Sequence, residues 1–156
     1  MVTSKRRIPL LSPYGLLQEY LFPNEWLCHV ACVLLNRTSR KQVESVIKLF
    51  IERWSTPESV INTPEQDLAA VIKSLGFSNR RARTLKLLAE AYVRHATDDV
   101  SKLPGIGTYA ASSWRLFFGD GRVREVEDHA LALYSDYTNG KHNEKDRRTK
   151  ENKDEV

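Results

Sequence analysis

LPGIGTYAAS, Leu103 to Ser112, is a turn built on two glycines between two helical patterns. Proline disfavours helix in the residue before it, so the preceding segment ends here. Gly105 and Gly107 permit positive φ and let other backbone approach closely. The helix that starts after them has first N–H groups without intrahelical partners, a ready seat for an anion. Ile106 is expected to tuck back between two helices and pin the turn. By itself the turn reads equally well as a phosphate seat or as a plain connector. A dinucleotide-binding fingerprint needs a strand before the glycines, and the sequence offers none.

On either side of this turn helix signals recur and strand signals hardly appear, so an all-α fold is expected. SPYGLLQEYLF offers Ser12 as N-cap and Pro13 at the first helical position, where its missing N–H costs nothing. NEWLCHVACVLLN takes Asn24 as cap and is apolar nearly all round, the mark of a central buried helix. Ser39 and Gln42 stand at capping-box spacing ahead of a stripe of Val43, Val46, Ile47, Phe50 and Ile51. Thr56-Pro57 and Thr63-Pro64 are two more cap-plus-proline starts, the second running on to Gly76 as a C-terminal cap. NRRARTLKLLAEAYVRHA is an amphipathic helix with a basic front, and a short last helix begins at about Asp128. No internal repeat is seen. The expected organisation is one domain over residues 12–140, a flexible N-terminal arm (1–11) and a charged, disordered tail (141–156).

The 156 residues are 41% hydrophobic and 28% charged, an ordinary globular balance. A net charge of +4 permits a polyanionic partner without requiring one. Basic and acidic residues nearly cancel in the tail, so the positive excess lies mostly in the domain. The two cysteines, Cys28 and Cys32, stand a helical turn apart. They read as small buried apolar residues; beyond an accidental His29, no partner completes a metal site. Nothing suggests a disulfide framework, which fits a reducing compartment. No apolar run reaches membrane-spanning length, and Lys5-Arg6-Arg7 precedes no signal-peptide core, so a soluble protein without membrane contact is expected.

Downstream, VEDHAL carries Asp128. A helix-capping role accounts for it alone, and a helix N-terminus also favours its negative charge. LPGIG followed by such an aspartate resembles the helix-hairpin-helix DNA glycosylases, the superfamily of endonuclease III and the adenine mismatch glycosylase. From residue 12 to about 137, SPYGLLQEYLFPNEWLCHVACVLLNRTSRK, SLGFSNRRARTL, GIGTYA and VEDHAL sharpen the likeness. They are similar to the glycosylase domain of the methyl-CpG-binding mismatch thymine/uracil branch; the methyl-CpG-binding domain itself has no counterpart in these residues.

The resemblance implies a role for each of several side chains. Asp128 is then the catalytic aspartate, stabilising oxocarbenium character at the sugar and orienting or deprotonating the attacking water. Tyr109 stands where bifunctional members carry a Schiff-base lysine; it lines the base pocket and cannot form an imine, which implies a monofunctional enzyme. Gln18 faces the extruded base, its carboxamide complementing the O2/N3–H edge of thymine or uracil, with the Leu17 carbonyl assisting. Taken alone, Gln18 reads as a surface glutamine and Tyr109 as a packed tyrosine. Arg37 in LNRTS enters the space left by the flipped nucleotide; its plain reading is a helix-terminal arginine complementing the dipole. Phe77, with Leu75 two residues before it, corresponds to the wedge beside the orphaned base, where the mismatch enzyme has leucine. Gly105, Ile106 and Gly107 present backbone N–H groups to a DNA phosphate, with a monovalent cation on their carbonyls. Arg80, Arg81 and Arg83 are candidate phosphate contacts, or simply a solvated basic face.

Departures from the pattern matter as well. The four-cysteine loop of endonuclease III is missing, so no iron–sulfur centre and no cofactor are expected. The interval from Tyr109 to Asp128 is slightly shorter than in the mismatch enzyme, and the chain diverges beyond Asp136. The expected activity is hydrolysis of the N-glycosidic bond of thymine, uracil or a related pyrimidine, opposite guanine, by a monomer acting on double-stranded DNA. Such an enzyme is intracellular: nuclear in a eukaryote, in the cytoplasm or nucleoid otherwise. Two alternatives keep the fold: action on a modified thymine or 5-hydroxymethyluracil, and a non-catalytic DNA-binding or damage-sensing module.

Overall fold

A computed structural model describes residues 11–94, 99–119, 128 and 130–138. The expected flexible arm, apart from Leu11, and the expected disordered tail lie outside these residues. Among the described residues every regular element is helical, and none is long and apolar enough to cross a membrane.

The first helix, α1 (Leu17–Leu21), is shorter than expected. Gly15 sits at φ +56, which helix does not accommodate, so the chain turns before the helix begins. Ser12 therefore does not cap it; its backbone N–H and hydroxyl both donate to the Glu19 carboxylate, which also accepts from Leu16 N. The next helix, α2 (Glu25–Leu35), begins as expected, with Asn24 Oδ1 accepting from Leu27 N at 3.0 Å. Trp26 through Leu34 are all buried, so α2 is the central post of the fold.

Ser39 and Gln42 form the anticipated capping box of α3 (Arg40–Arg53), which buries Val43, Val46, Ile47 and Phe50. Removing such side chains from water contributes about 1.5–3 kcal/mol each. Thr56 caps α4 (Pro57–Ile61). The second cap-plus-proline start behaves differently. Pro64 itself holds the N-cap of α5 (Glu65–Val71), without a side-chain cap. Thr63 is engaged elsewhere: its hydroxyl accepts from Trp54 Nε1 at 2.9 Å and donates to Ser59 O at 2.7 Å. A 3-10 turn, Lys73–Leu75, then ends at Gly76 with φ +75.

The long amphipathic α6 (Ser78–Arg94) packs on α4 and α5. After a 3-10 turn at Val100–Lys102, the glycine turn leads into α7 (Thr108–Phe117), which lies against α2. Glu25 ties three elements together: Tyr92 Oη and Trp114 Nε1 each donate to its carboxylate at 2.9 Å. Residues 130–138 form the last helix, α8. Its Leu131 and Tyr134 join Leu16, Leu116 and Phe117 in a small second core beside the main one.

Candidate functional site

The two cores meet at Tyr109, which packs against both. Along this seam runs a cleft of about 760 Å³. Its walls come from the start of α1, the C-terminal end of α2, the glycine turn with the first turn of α7, and Asp128 with α8. Gln18, Arg37, Gly107, Tyr109 and Asp128 all line it, so side chains far apart in the sequence share one surface.

Gln18 is 1% exposed and not a surface residue. Its Nε2 donates to Tyr109 Oη at 2.9 Å and to Ser113 Oγ at 3.1 Å, with Cys32 Sγ at 3.7 Å. Among the described residues its Oε1 makes no hydrogen bond. Ser113 was missed by sequence reasoning, although it lies one helical turn beyond Tyr109 on the same face of α7. Burial holds the Tyr109 phenol well above the usual tyrosine range, reinforced by the nearby Cys32 and Asp128 and opposed by the Gln18 hydrogen bond. Burial likewise pushes the Cys32 thiol up to about 11, so both groups stay protonated at neutral pH.

Asp128 caps α8: its Oδ1 accepts from Leu131 N at 2.9 Å and its carbonyl from Ala132 N at 2.9 Å. The other carboxylate oxygen has no hydrogen-bond partner among the described residues. Asp128 as a residue is half-buried, in the cleft wall.

The two glycines of the turn differ. Gly105 has φ +77, and a Cβ there would meet Thr84 Cγ2 at 2.5 Å and Val33 Cγ2 at 3.4 Å. Any larger residue at this position would be strained and would push Thr84 aside where the turn nests against α6 and α2. Gly107 does not use positive φ: it sits at −88°, and a Cβ on it would meet nothing among the described residues. Ile106 is buried in the main core as expected, but its N–H donates to Leu103 O at 3.2 Å, so that N–H is not available to a phosphate. The start of α7 has no side-chain cap, unlike α2, α3 and α4. Its first N–H groups are thus open to an anion.

Arg37 and Phe77 are the only non-glycine residues with positive φ among the described residues, at 57° and 49°. Both are exposed, Phe77 at 66%, so core packing does not explain the aromatic ring. Arg80 and Arg83 are exposed on α6. Two expected DNA contacts require correction. Leu75 is buried in the main core, its apolar side chain packed inward. Arg81 is only 7% exposed, and its guanidinium donates to the carbonyls of Val33, Leu34, Asn36 and Gly76, which removes it from the solvated basic face.

Comparison with known proteins places this geometry in a family. The model of the HhH-GPD superfamily base excision DNA repair proteins matches residues 30–151. A methyl-CpG-binding domain protein 4-like protein of Arabidopsis thaliana is 31% identical over 83% of this chain and 29% of its own length. A thymine/uracil-DNA glycosylase of Pyrobaculum aerophilum is 35% identical over 56% of this chain and 41% of its own. Among solved structures, a thermostable thymine-DNA glycosylase superposes with a TM-score of 0.57 at 26% identity, over 60% of this chain and 46% of that one. A trapped endonuclease III–DNA covalent intermediate gives 0.57 at 25%, over 61% and 48%. The chain thus spans less than half the length of each of these relatives. The family match covers most of the chain, and the chain belongs to the HhH-GPD superfamily of base excision DNA repair proteins.

Proposed function

We propose that the chain is a monofunctional DNA glycosylase that hydrolyses the N-glycosidic bond of thymine, uracil or a related pyrimidine mispaired with guanine. The observation that carries this reading is the shared cleft: Gln18 hydrogen-bonded to Tyr109, with Asp128 in the same wall. A volume of about 760 Å³ accommodates one extruded nucleotide. Gln18 Oε1 accepts from the N3–H of the base. Tyr109 and Ser113 are hydroxyls that donate as well as accept, so the amide can also turn over and offer its NH2 to a base carbonyl. Relatives that bear the name thymine/uracil-DNA glycosylase agree with this choice of base.

Chemistry falls to the uncommitted oxygen of Asp128. As the base leaves with the bonding electrons, positive charge grows on the sugar, and a fixed carboxylate stabilises it. The same group takes the proton of the water that adds to the sugar carbon. The phenol of Tyr109 offers no amine, and none of the described residues lining the cleft is a lysine. The product is therefore an abasic site in an intact strand. The turn carbonyls of Gly105 and Ile106 accept no hydrogen bond among the described residues, which suits a monovalent cation; such an ion would add positive charge beside a bound phosphate.

Duplexes carrying thymine, uracil or 5-hydroxymethyluracil opposite each normal base test this reading. Base release is expected on pyrimidine·guanine pairs, with strand breakage only after alkali or heat. Direct breakage, or a protein–DNA adduct trapped by borohydride, contradicts the monofunctional assignment. Preference for 5-hydroxymethyluracil in every pairing would move the substrate to modified thymine, and DNA binding without release of any base would leave a binding module.

A further inference from the structure

Four backbone carbonyls converge on Arg81. Its Nη1 donates to Val33 O at 3.0 Å and Leu34 O at 3.3 Å, its Nη2 to Asn36 O at 2.7 Å, and its Nε to Gly76 O at 3.0 Å. The first three belong to the C-terminal end of α2, where carbonyls lack helical partners and a cation is favoured. The fourth belongs to the separate turn that ends at Gly76. Asn36 and Gly76 immediately precede Arg37 and Phe77, the two exposed non-glycine residues held at positive φ among the described residues.

We propose that Arg81 is a positioning residue, a brace that fixes both wedge loops in one frame so that Arg37 and Phe77 enter DNA together. The proposal rests on the glycosylase reading above and assigns Arg81 a task outside the chemistry. Left-handed backbone is unfavourable for both residues and persists only where neighbouring structure holds it. A planar guanidinium presents five donors in fixed directions and can hold carbonyls of two loops at once; an ammonium on a flexible stem cannot reproduce that spread. Loss of the brace lets either loop relax and turns its side chain away from the position needed between bases. The defect then falls on extrusion of a paired base and spares a base that is already accessible.

The test is single-turnover excision by Arg81→Lys, below its melting temperature, from a mismatched duplex and from a bulge holding the same base. Release from the duplex is expected to fall about tenfold or more, with the bulge changed by less than about twofold. Placed on an Arg37→Ala/Phe77→Ala background, Arg81→Lys should add no further loss. Equal losses on both substrates, or full additivity with the wedge changes, overturn the proposal. If the unaltered protein released no base at all, the glycosylase reading would fail, but the brace would still be read by 2-aminopurine fluorescence beside the target. Unstacking by the unaltered protein and not by Arg81→Lys supports the brace; equal unstacking removes it. Should Arg81→Lys fail to fold, the Arg81 Nε–H resonance of the unaltered protein decides. Slow solvent exchange with and without DNA is expected, and a salt-sensitive shift on DNA binding would mark a phosphate contact instead.

Discussion

Arg37 and Phe77 hold backbone angles that L-residues seldom adopt, and both side chains reach solvent. The left-handed region costs a non-glycine residue about 1–2 kcal/mol, and glycine gives back about 0.5–1 kcal/mol through the entropy of the unfolded chain. Arg37→Gly and Phe77→Gly should therefore keep or slightly raise the melting temperature while slowing excision of a paired base. Calorimetry and single-turnover release check the two effects together; a melting temperature lowered by several degrees would show that these side chains support the fold. Individual residues were legible in the sequence to different degrees. Gln18, Tyr109 and Asp128 stand out through the resemblance to a known family, not through local pattern, and they line one cleft. Arg81 read as one more basic residue at a helix start. Whether such a side chain meets solvent or the carbonyls of another helix is decided by tertiary packing, which no local pattern encodes.

At the scale of elements, caps were legible where a side chain acts within its own turn, as at Asn24, Ser39 and Thr56. They were misread where a distant group competes: Glu19 binds Ser12, and Trp54 binds Thr63. The glycine turn shows the same limit. Both glycines looked alike, yet Gly105 is held by contacts with α2 and α6, and Gly107 by nothing among the described residues. Gly105→Ala should cost about 1–3 kcal/mol through strain and overlap with Thr84. Gly107→Ala should leave stability unchanged but weaken DNA binding, because its Cβ occupies the approach to the first N–H groups of α7. Thermal melting and fluorescence anisotropy with labelled duplex separate the two, and the reverse pattern would reject this division of roles.

The whole molecule keeps several ionisable groups neutral inside, and its stability should respond to pH on both sides. Burial lowers the pKa of His29 from its ordinary 6.5, against an opposing pull from Glu25. The unfolded chain then takes up a proton that the folded chain refuses. Stability is accordingly lost as pH falls below about 6.5. Cys32 is raised by burial from 9.0 to about 11, so the unfolded chain ionises first and stability also falls as pH rises through that interval. Melting temperatures across this range check both limbs; His29→Met should flatten the acid limb above the carboxylate range, and an unchanged slope there would remove His29 as its source. In the proposed reaction the cleft between the two cores releases a pyrimidine through the charge of Asp128. Single-turnover base release by Asp128→Asn, with duplex affinity measured in parallel, tests it most directly. The amide keeps the shape and the Oδ1 cap of α8 but lacks the charge, so we expect release to fall by at least about a hundredfold with affinity within a fewfold of the unaltered chain. Release at a comparable rate by Asp128→Asn would remove Asp128 as the group that drives base release.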